Sequence, residues 1–409
     1  MKNPHLAPGL TVSSSGQISA AMATLFTVIA IITFTADAAQ AQRFEILYSF
    51  PRYSDGSPYA GLLLDSAGNL YGTAAGSACF APTDEYGNVF EISSDGAESI
   101  VHSFDVTDGL CPFDSLIADE AGNLYGTTLD GGPYGVGNVF KLDPGGNETN
   151  LYNFNAGPNG SADGCYPYAG LLRDGAGNLY GTTSRCGAYM QGVVFKIDTN
   201  GNETVLHNFS GPDGAYPYGG LIMDAVGNLY GTTAAGGSSA LGVLYKLTPK
   251  GKLVLLHSFT GNGIDGCNPD GKPLRDNSGN FFGTASNCGA FDLGNVWKIG
   301  KNGSETVLHN FAGGSSDGAQ PSDAGLISDG QGNLYGVTSS GGPSSYGTVY
   351  KVSVDGTFTL LHKFSATMAG AGARDPQGSL VMDAKGNLYG TTSAGGDGDG
   401  NGTVWTLTP

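Results

Sequence analysis

The sequence predicts an all-β fold, a seven-bladed β-propeller with four-stranded blades whose N-terminal strand closes the last blade. Three observations carry this. The string Gly-Asn-Leu-Tyr-Gly-Thr, with small variations, starts at Gly68, Gly122, Gly177, Gly227, Gly279, Gly332 and Gly386, every 50 to 55 residues. A period of that size, built from short strands and turns, is that of a propeller blade. Each repeat holds four β-rich runs, and no segment after residue 43 keeps a 3.6-residue period. The fourth run is absent after the last repeat and present before the first, which is the arrangement of a closed ring.

The elements follow in order. Residues 3–36 carry no Asp, Glu, Lys or Arg; Lys2 and an apolar run over 21–34 precede the small-residue site Ala39-Gln40-Ala41. This pattern predicts a signal peptide over 1–41, with an uncleaved membrane anchor as the competing reading, and a propeller over 42–409. Within a blade the first strand reads like residues 61–65. The turn Asp65-Ser66-Ala67-Gly68-Asn69 then closes a hairpin, since Asp can bond the turn backbone and Gly supplies positive φ. The same Asp-x-x-Gly-Asn starts at Asp119, Asp174, Asp224, Asp276, Asp329 and Asp383. The second strand, Leu70-Tyr71-Gly72-Thr73, has a central glycine that implies close approach of a neighbouring blade. The third strand resembles Val89-Phe90-Glu91-Ile92. Fourth strands lie at 98–104, 148–154, 203–209, 252–259, 305–311 and 357–364, and residues 44–50 supply the seventh copy.

Bulk properties limit the function. Glycine contributes 69 of 409 residues at fixed places in the repeats, so it is turn chemistry and not a low-complexity tract. The net charge of −18, with no Lys/Arg cluster, lacks the basic stripe that nucleic acid requires and disfavours an anionic membrane surface. Partners compatible with it are a carbohydrate or an extracellular protein. No cofactor is expected, and the chain is read as a monomer.

The run D-x-x-G-N-L-Y-G-T-T-x-x-G-G, followed by G-x-V-F-K-L, L-H-x-F and D-G-x-x-P, resembles the GloVer-type tandem-repeat proteins, a secreted bacterial group with variable anchoring. Its D-x-x-G-N-L-Y part also resembles NHL-type propellers. The resemblance spans residues 44–407 and implies location and fold, without supplying catalytic residues. It places the chain outside the cytoplasm, secreted or periplasmic.

Six cysteines all fall in the variable loops. Cys165 and Cys186 recur as Cys267 and Cys288 with the same separation of 21, so the register pairs each set, leaving Cys79 with Cys111. Zinc spacing is absent and no metal is assigned. His102, His207, His257, His309 and His362 occupy one slot of the fourth strand, which Tyr48 and Tyr152 fill elsewhere. Such repetition reads as an amphipathic structural ring and not as a catalytic base. The lead-in aspartates before the first strands (Asp55, Asp108, Asp163, Asp213, Asp265, Asp317) are expected to bind loop backbone. Asp397-Gly398-Asp399-Gly400-Asn401 is the best calcium-like segment, read as a solvated turn.

Differences among blades point to the candidate site. The residue after each lead-in proline is Tyr59, Phe113, Tyr168 and Tyr218 in blades one to four, then Asp270, Ser322 and Gln377. These positions should ring the axis, half aromatic and half polar. Each ring either packs on its proline or joins a platform for sugar rings or a peptide, with Asp270, Asp323 and Arg374 orienting hydroxyls. The function expected is therefore an exported, non-catalytic binding module. Its rival is a propeller glycoside hydrolase or lyase using loop-face carboxylates.

Overall fold

The turn aspartates show how local chemistry builds the blades. Asp119 Oδ1 accepts the amides of Ala121 and Asn123 at 3.0 and 2.9 Å, Oδ2 accepts Asn123 Nδ2 at 2.8 Å, and the Tyr125 hydroxyl donates to Oδ2 at 2.9 Å. Burial opposes ionisation there, but these donors hold the carboxyl down at about 2. The computed structural model describes residues 42–51, 56–79, 85–155, 157, 163–263, 265–321, 325–365, 372–396 and 400–408.

Among these residues the strands form seven antiparallel blades, the first being Leu63–Leu64, Leu70–Ala74, Asn88–Ile92 and Glu98–Ser103. The innermost strands are shorter than expected, two residues in every blade. Ahead of them the chain turns to the neighbouring blade: Thr391 Oγ1 donates to the Ala60 carbonyl at 2.8 Å, and Thr232 Oγ1 to the Gly271 carbonyl at 2.8 Å. In five blades the threonine of the Gly-Thr pair is thus an inter-blade tie, made also by Thr73, Thr127 and Thr182. In blade six the residue is Val337, which has no hydroxyl to donate.

The central glycine has a different cause from the one expected. A Cβ on Gly72 would lie 2.4 Å from Phe90, the residue paired with it on the adjacent strand of the same blade. The glycine makes room for that ring to lie across its own sheet. The ring is Phe, Tyr or Trp in every blade, and the phenylalanine ending the preceding fourth strand packs on it: Phe50 on Phe90, Phe154 on Phe195, Phe364 on Trp405, with centroids 5.0, 5.1 and 5.6 Å apart. These phenylalanines are fully buried, so the core is a series of layers between blades.

Closure runs through the N-terminal strand. Arg43–Ser49 pairs antiparallel with Thr403–Thr408, Ile46 opposite Trp405, and completes the sheet containing Leu388–Thr392 and Val381–Met382. The strand removes a sheet edge and carries Phe50 into the layer against blade one.

All six cysteines pair: Cys79–Cys111, Cys165–Cys186 and Cys267–Cys288, with Cα separations of 5.6, 5.4 and 5.4 Å. The last two sit on a local ladder between the lead-in loop and the loop after the second strand, where Cys165 bridges Arg185 and Cys267 bridges Asn287. Bridges of this kind point to folding in an oxidising, extracytoplasmic environment.

Candidate functional site at the axis

The residue before the lead-in proline is left-handed in six blades: Cys111, Tyr166, Tyr216, Asn268, Gln320 and Asp375, with φ between 54° and 61°. Side chains other than glycine resist this conformation. Here a hydrogen bond from its amide to the preceding blade over-determines it, as from Tyr166 to the Val136 carbonyl at 2.9 Å and Tyr216 to the Gln191 carbonyl at 2.9 Å. The proline itself rests on a glycine of the preceding blade; a Cβ on Gly192 would stand 2.8 Å from Pro217. The proline is therefore occupied by its neighbour, and the next side chain is turned to the axis.

That next residue forms the aromatic arc the sequence suggested. Tyr59 and Phe113 have centroids 5.4 Å apart, Phe113 and Tyr168 stack at 5.6 Å and 13°, and Tyr168 meets Tyr218 edge-on at 5.4 Å. All four rings are half-buried and border one cavity of about 180 Å³. Burial, then the charge of Asp375, push the Tyr59 phenol up.

The polar half is composed differently. Gln377 borders the cavity, joined by Asp114 and Lys272, which the sequence reading did not single out. Asp114 accepts the Ser115 amide at 2.5 Å and the Gly170 amide of the next blade. Burial pushes its carboxyl up, against the pull of those amides and of the Lys272 ammonium. Ser115 and Ser379 bring their hydroxyls within 3.5 Å, and a Cβ on Gly61 would strike both, so the inner ends of blades two and seven meet over blade one. The result is a cavity bordered by an aromatic arc together with one acid, one ammonium and one amide.

Asp270 and Arg374 do not border this cavity. Ser286 donates to Asp270 Oδ2 at 3.0 Å, and the Arg374 guanidinium lies 5.7 Å from the centre of the Tyr346 ring. Asp323, Ser322 and Asp55, with Asp397 to Asp399 of the calcium-like segment, lie outside the described residues.

The lead-in aspartates do more than bind backbone. Asp213 accepts the Ser210 amide at 2.8 Å and also faces His207 Nε2 at 2.9 Å; Asp108 faces His102 Nε2 at 3.0 Å, and the Tyr152 hydroxyl donates to Asp163 at 2.8 Å. At His102, Tyr152, His207 and His309 the His/Tyr slot is therefore filled by a ring whose polar tip reaches the lead-in acid. Across the blade interface Glu148 approaches Asp108 and Glu203 approaches Asp163. Burial first, then the neighbouring carboxylate, push each glutamate up to about 7.

A family model described as the Gloeobacter/Verrucomicrobia repeat matches residues 10–238 and 220–409. No curated protein matches the chain. Among solved structures it is similar to a gluconolactonase from Xanthomonas campestris, at 13% identity over 90% of this chain and 89% of that one, with a TM-score of 0.44. It is also similar to a putative gluconolactonase, at 11% identity, 90% and 92% coverage and a TM-score of 0.41. A puromycin hydrolase mutant complexed with PGG shares 11% identity over 84% of this chain, with a TM-score of 0.51, and this chain spans 53% of its length. At these identities the likeness is one of fold.

Proposed function

Because the chain belongs to the Gloeobacter/Verrucomicrobia repeat family, we propose that it is an exported propeller that binds a small ligand at its axis without transforming it. The observation that carries this is the continuous arc of Tyr59, Phe113, Tyr168 and Tyr218, which borders one cavity together with Asp114, Lys272 and Gln377. Aromatic faces suit the apolar C–H surface of a sugar ring, and three polar groups of different kinds suit its hydroxyls. Glycoside cleavage calls for two carboxyls roughly 5–9.5 Å apart across the scissile bond. Among the described residues that border the cavity, Asp114 is the single carboxyl, which favours binding over hydrolysis.

Export rests on the apolar, charge-free leader over residues 3–36 and on the three disulfides, and a secreted or periplasmic location follows. A glycan array tests the proposal, followed by reducing-end analysis of any retained saccharide. Retention without new reducing ends, abolished in the Tyr168→Ala/Tyr218→Ala double variant, is the expected result. New reducing ends would make the protein a hydrolase. Because the two rings are half-buried, the double variant should unfold near the wild-type denaturant midpoint; a loss approaching the roughly 3–5 kcal/mol of a buried ring would make them core instead.

A further inference from the structure

The rim between blades four and five differs from the other rims. His257 lies in the outer strand Leu253–Ser258, Asp265 in the lead-in loop of blade five, and Glu305 begins the outer strand Glu305–Asn310. One ligand atom from each lies within 4.8 Å of the other two. His257 Nε2 is 3.8 Å from Asp265 Oδ2 and 3.3 Å from Glu305 Oε2. At the equivalent positions the imidazole sits directly on its aspartate, 2.9 Å away for His207 and 3.0 Å for His102. Of the other histidine rims, the glutamate place is held by Leu253 beside blade three and by Phe358, which stacks on His309 at 3.7 Å, beside blade five; the His102–Asp108 rim keeps it as Glu148, but there the imidazole stays on its aspartate.

His257 Nε2, Asp265 Oδ1 and Glu305 Oε1 are buried without a hydrogen-bond partner; Glu148 and Glu203 share the unmet Oε1, but among the described residues this rim alone adds an unmet imidazole nitrogen and lead-in aspartate oxygen. Asp265 is only 6% exposed. Its other oxygen is held by the Thr260 amide at 2.6 Å and the Thr260 hydroxyl at 2.9 Å. Its loop is fixed by the Gly289 amide donating to the Asp265 carbonyl at 3.1 Å and by the Cys267–Cys288 bridge two residues on. Leaving even one such atom unmet costs about 1–3 kcal/mol. Three on separate segments, oriented by their own neighbours, describe a place built for something that all three can bind at once.

We infer that His257, Asp265 and Glu305 form a binding site for a divalent transition-metal ion. Two carboxylates match the ion's charge, and the imidazole selects a transition ion over Ca²⁺ or Mg²⁺, which prefer oxygen throughout. One nitrogen and two carboxylates make three of the four ligands of a tetrahedral zinc site, with water as the fourth. The ion would join the outer edges of blades four and five, and none of its three ligands borders the axial cavity, so its role is to brace the ring.

The test uses the purified chain, stripped with chelator and titrated with Zn²⁺ by calorimetry, with Ca²⁺ as the contrasting probe. Wild type should bind one equivalent of Zn²⁺ and melt at higher temperature with it, because the ion binds the native state. His257→Gln and Glu305→Gln should each weaken binding by at least the roughly 10–100-fold that loss of even a supporting partner costs, while His207→Gln should not. Asp265→Asn is informative only if its circular dichroism matches wild type, and the other two variants decide without it. Absence of stoichiometric Zn²⁺ binding overturns the inference. So does binding that survives both His257→Gln and Glu305→Gln, or Ca²⁺ bound as tightly as Zn²⁺.

Discussion

Glu148 and Glu203 should make this protein less stable as the solution becomes alkaline, and neutralising them should reverse the loss. Each is pushed up to about 7 by burial and by the lead-in aspartate it faces. An unfolded glutamate titrates near about 4.3. The native chain therefore holds these protons more tightly, and its stability falls as pH rises from the unfolded value through about 7. Shifts of this size correspond to roughly 3–4 kcal/mol per residue at full effect. Both side chains are only half-buried, so solvent screening should leave about 1 kcal/mol each. The Glu148→Gln/Glu203→Gln double variant should then exceed wild type by about 2 kcal/mol at about pH 8.5 and match it near about pH 5. Urea unfolding at the two pH values measures this, and every other titrating group cancels in the comparison. A difference that is the same at both pH values, or no gain in alkali, would refute the reasoning.

Other expectations concern the ring itself. Val337→Thr should restore the inter-blade tie toward the Gly378 carbonyl, the counterpart of the Ala60 carbonyl that accepts from Thr391, raising stability by about 0.5–1.5 kcal/mol; destabilisation in denaturant melts would show that no acceptor is within reach. His362 stacks on Phe44 at 4.0 Å and is held down at about 4 by burial. Its contribution is complete above about pH 6.5 and declines as the pH falls through about 4, a decline that His362→Phe should lack in melts across that range. Removing residues 44–50 should expose the edge of Thr403–Thr408 and the pocket of Phe50, lowering the melting temperature and promoting association. A monomer with an unchanged melting temperature would contradict the closure.

What could be read along the chain was whatever repeats along it. Asp65 and its six counterparts announce their turns because an aspartate two and four residues before amides needs no distant partner. The disulfides were legible for the same reason: Cys165 and Cys186 share a register with Cys267 and Cys288. Contacts between blades were not. Asp114 matters because Gly170 of the next blade donates to it and Lys272 faces it across the axis, and neither relation has a fixed sequence offset. Glu148, Glu203 and Glu305 did leave a signal, an acid opening the fourth strand in Gly-Asn-Glu-Thr and Gly-Ser-Glu-Thr. Its meaning depends on lateral register between sheets, which places each beside the lead-in aspartate at the outer edge of the preceding blade. The glycine of Gly-Thr was recognised as a spacer, but its beneficiary is a ring on its own sheet.

The pairing of Ile46 with Trp405 also sets a timetable. The propeller's first strand is among the last to find its partner, since almost the whole propeller must be made before Thr403–Thr408 exists to receive it. Bringing together ends about 360 residues apart costs roughly 5 kcal/mol of chain entropy if nothing between them is ordered. Blades one to six can organise from neighbours in sequence and shorten that span in advance, so the closing step becomes the docking of a waiting strand onto a nearly finished ring. Folding rate should therefore be governed by this late encounter rather than by any single blade. Until it occurs, an apolar strand beginning near residue 43 remains available to other chains, and a chaperone that shields such strands would act on the propeller at this strand.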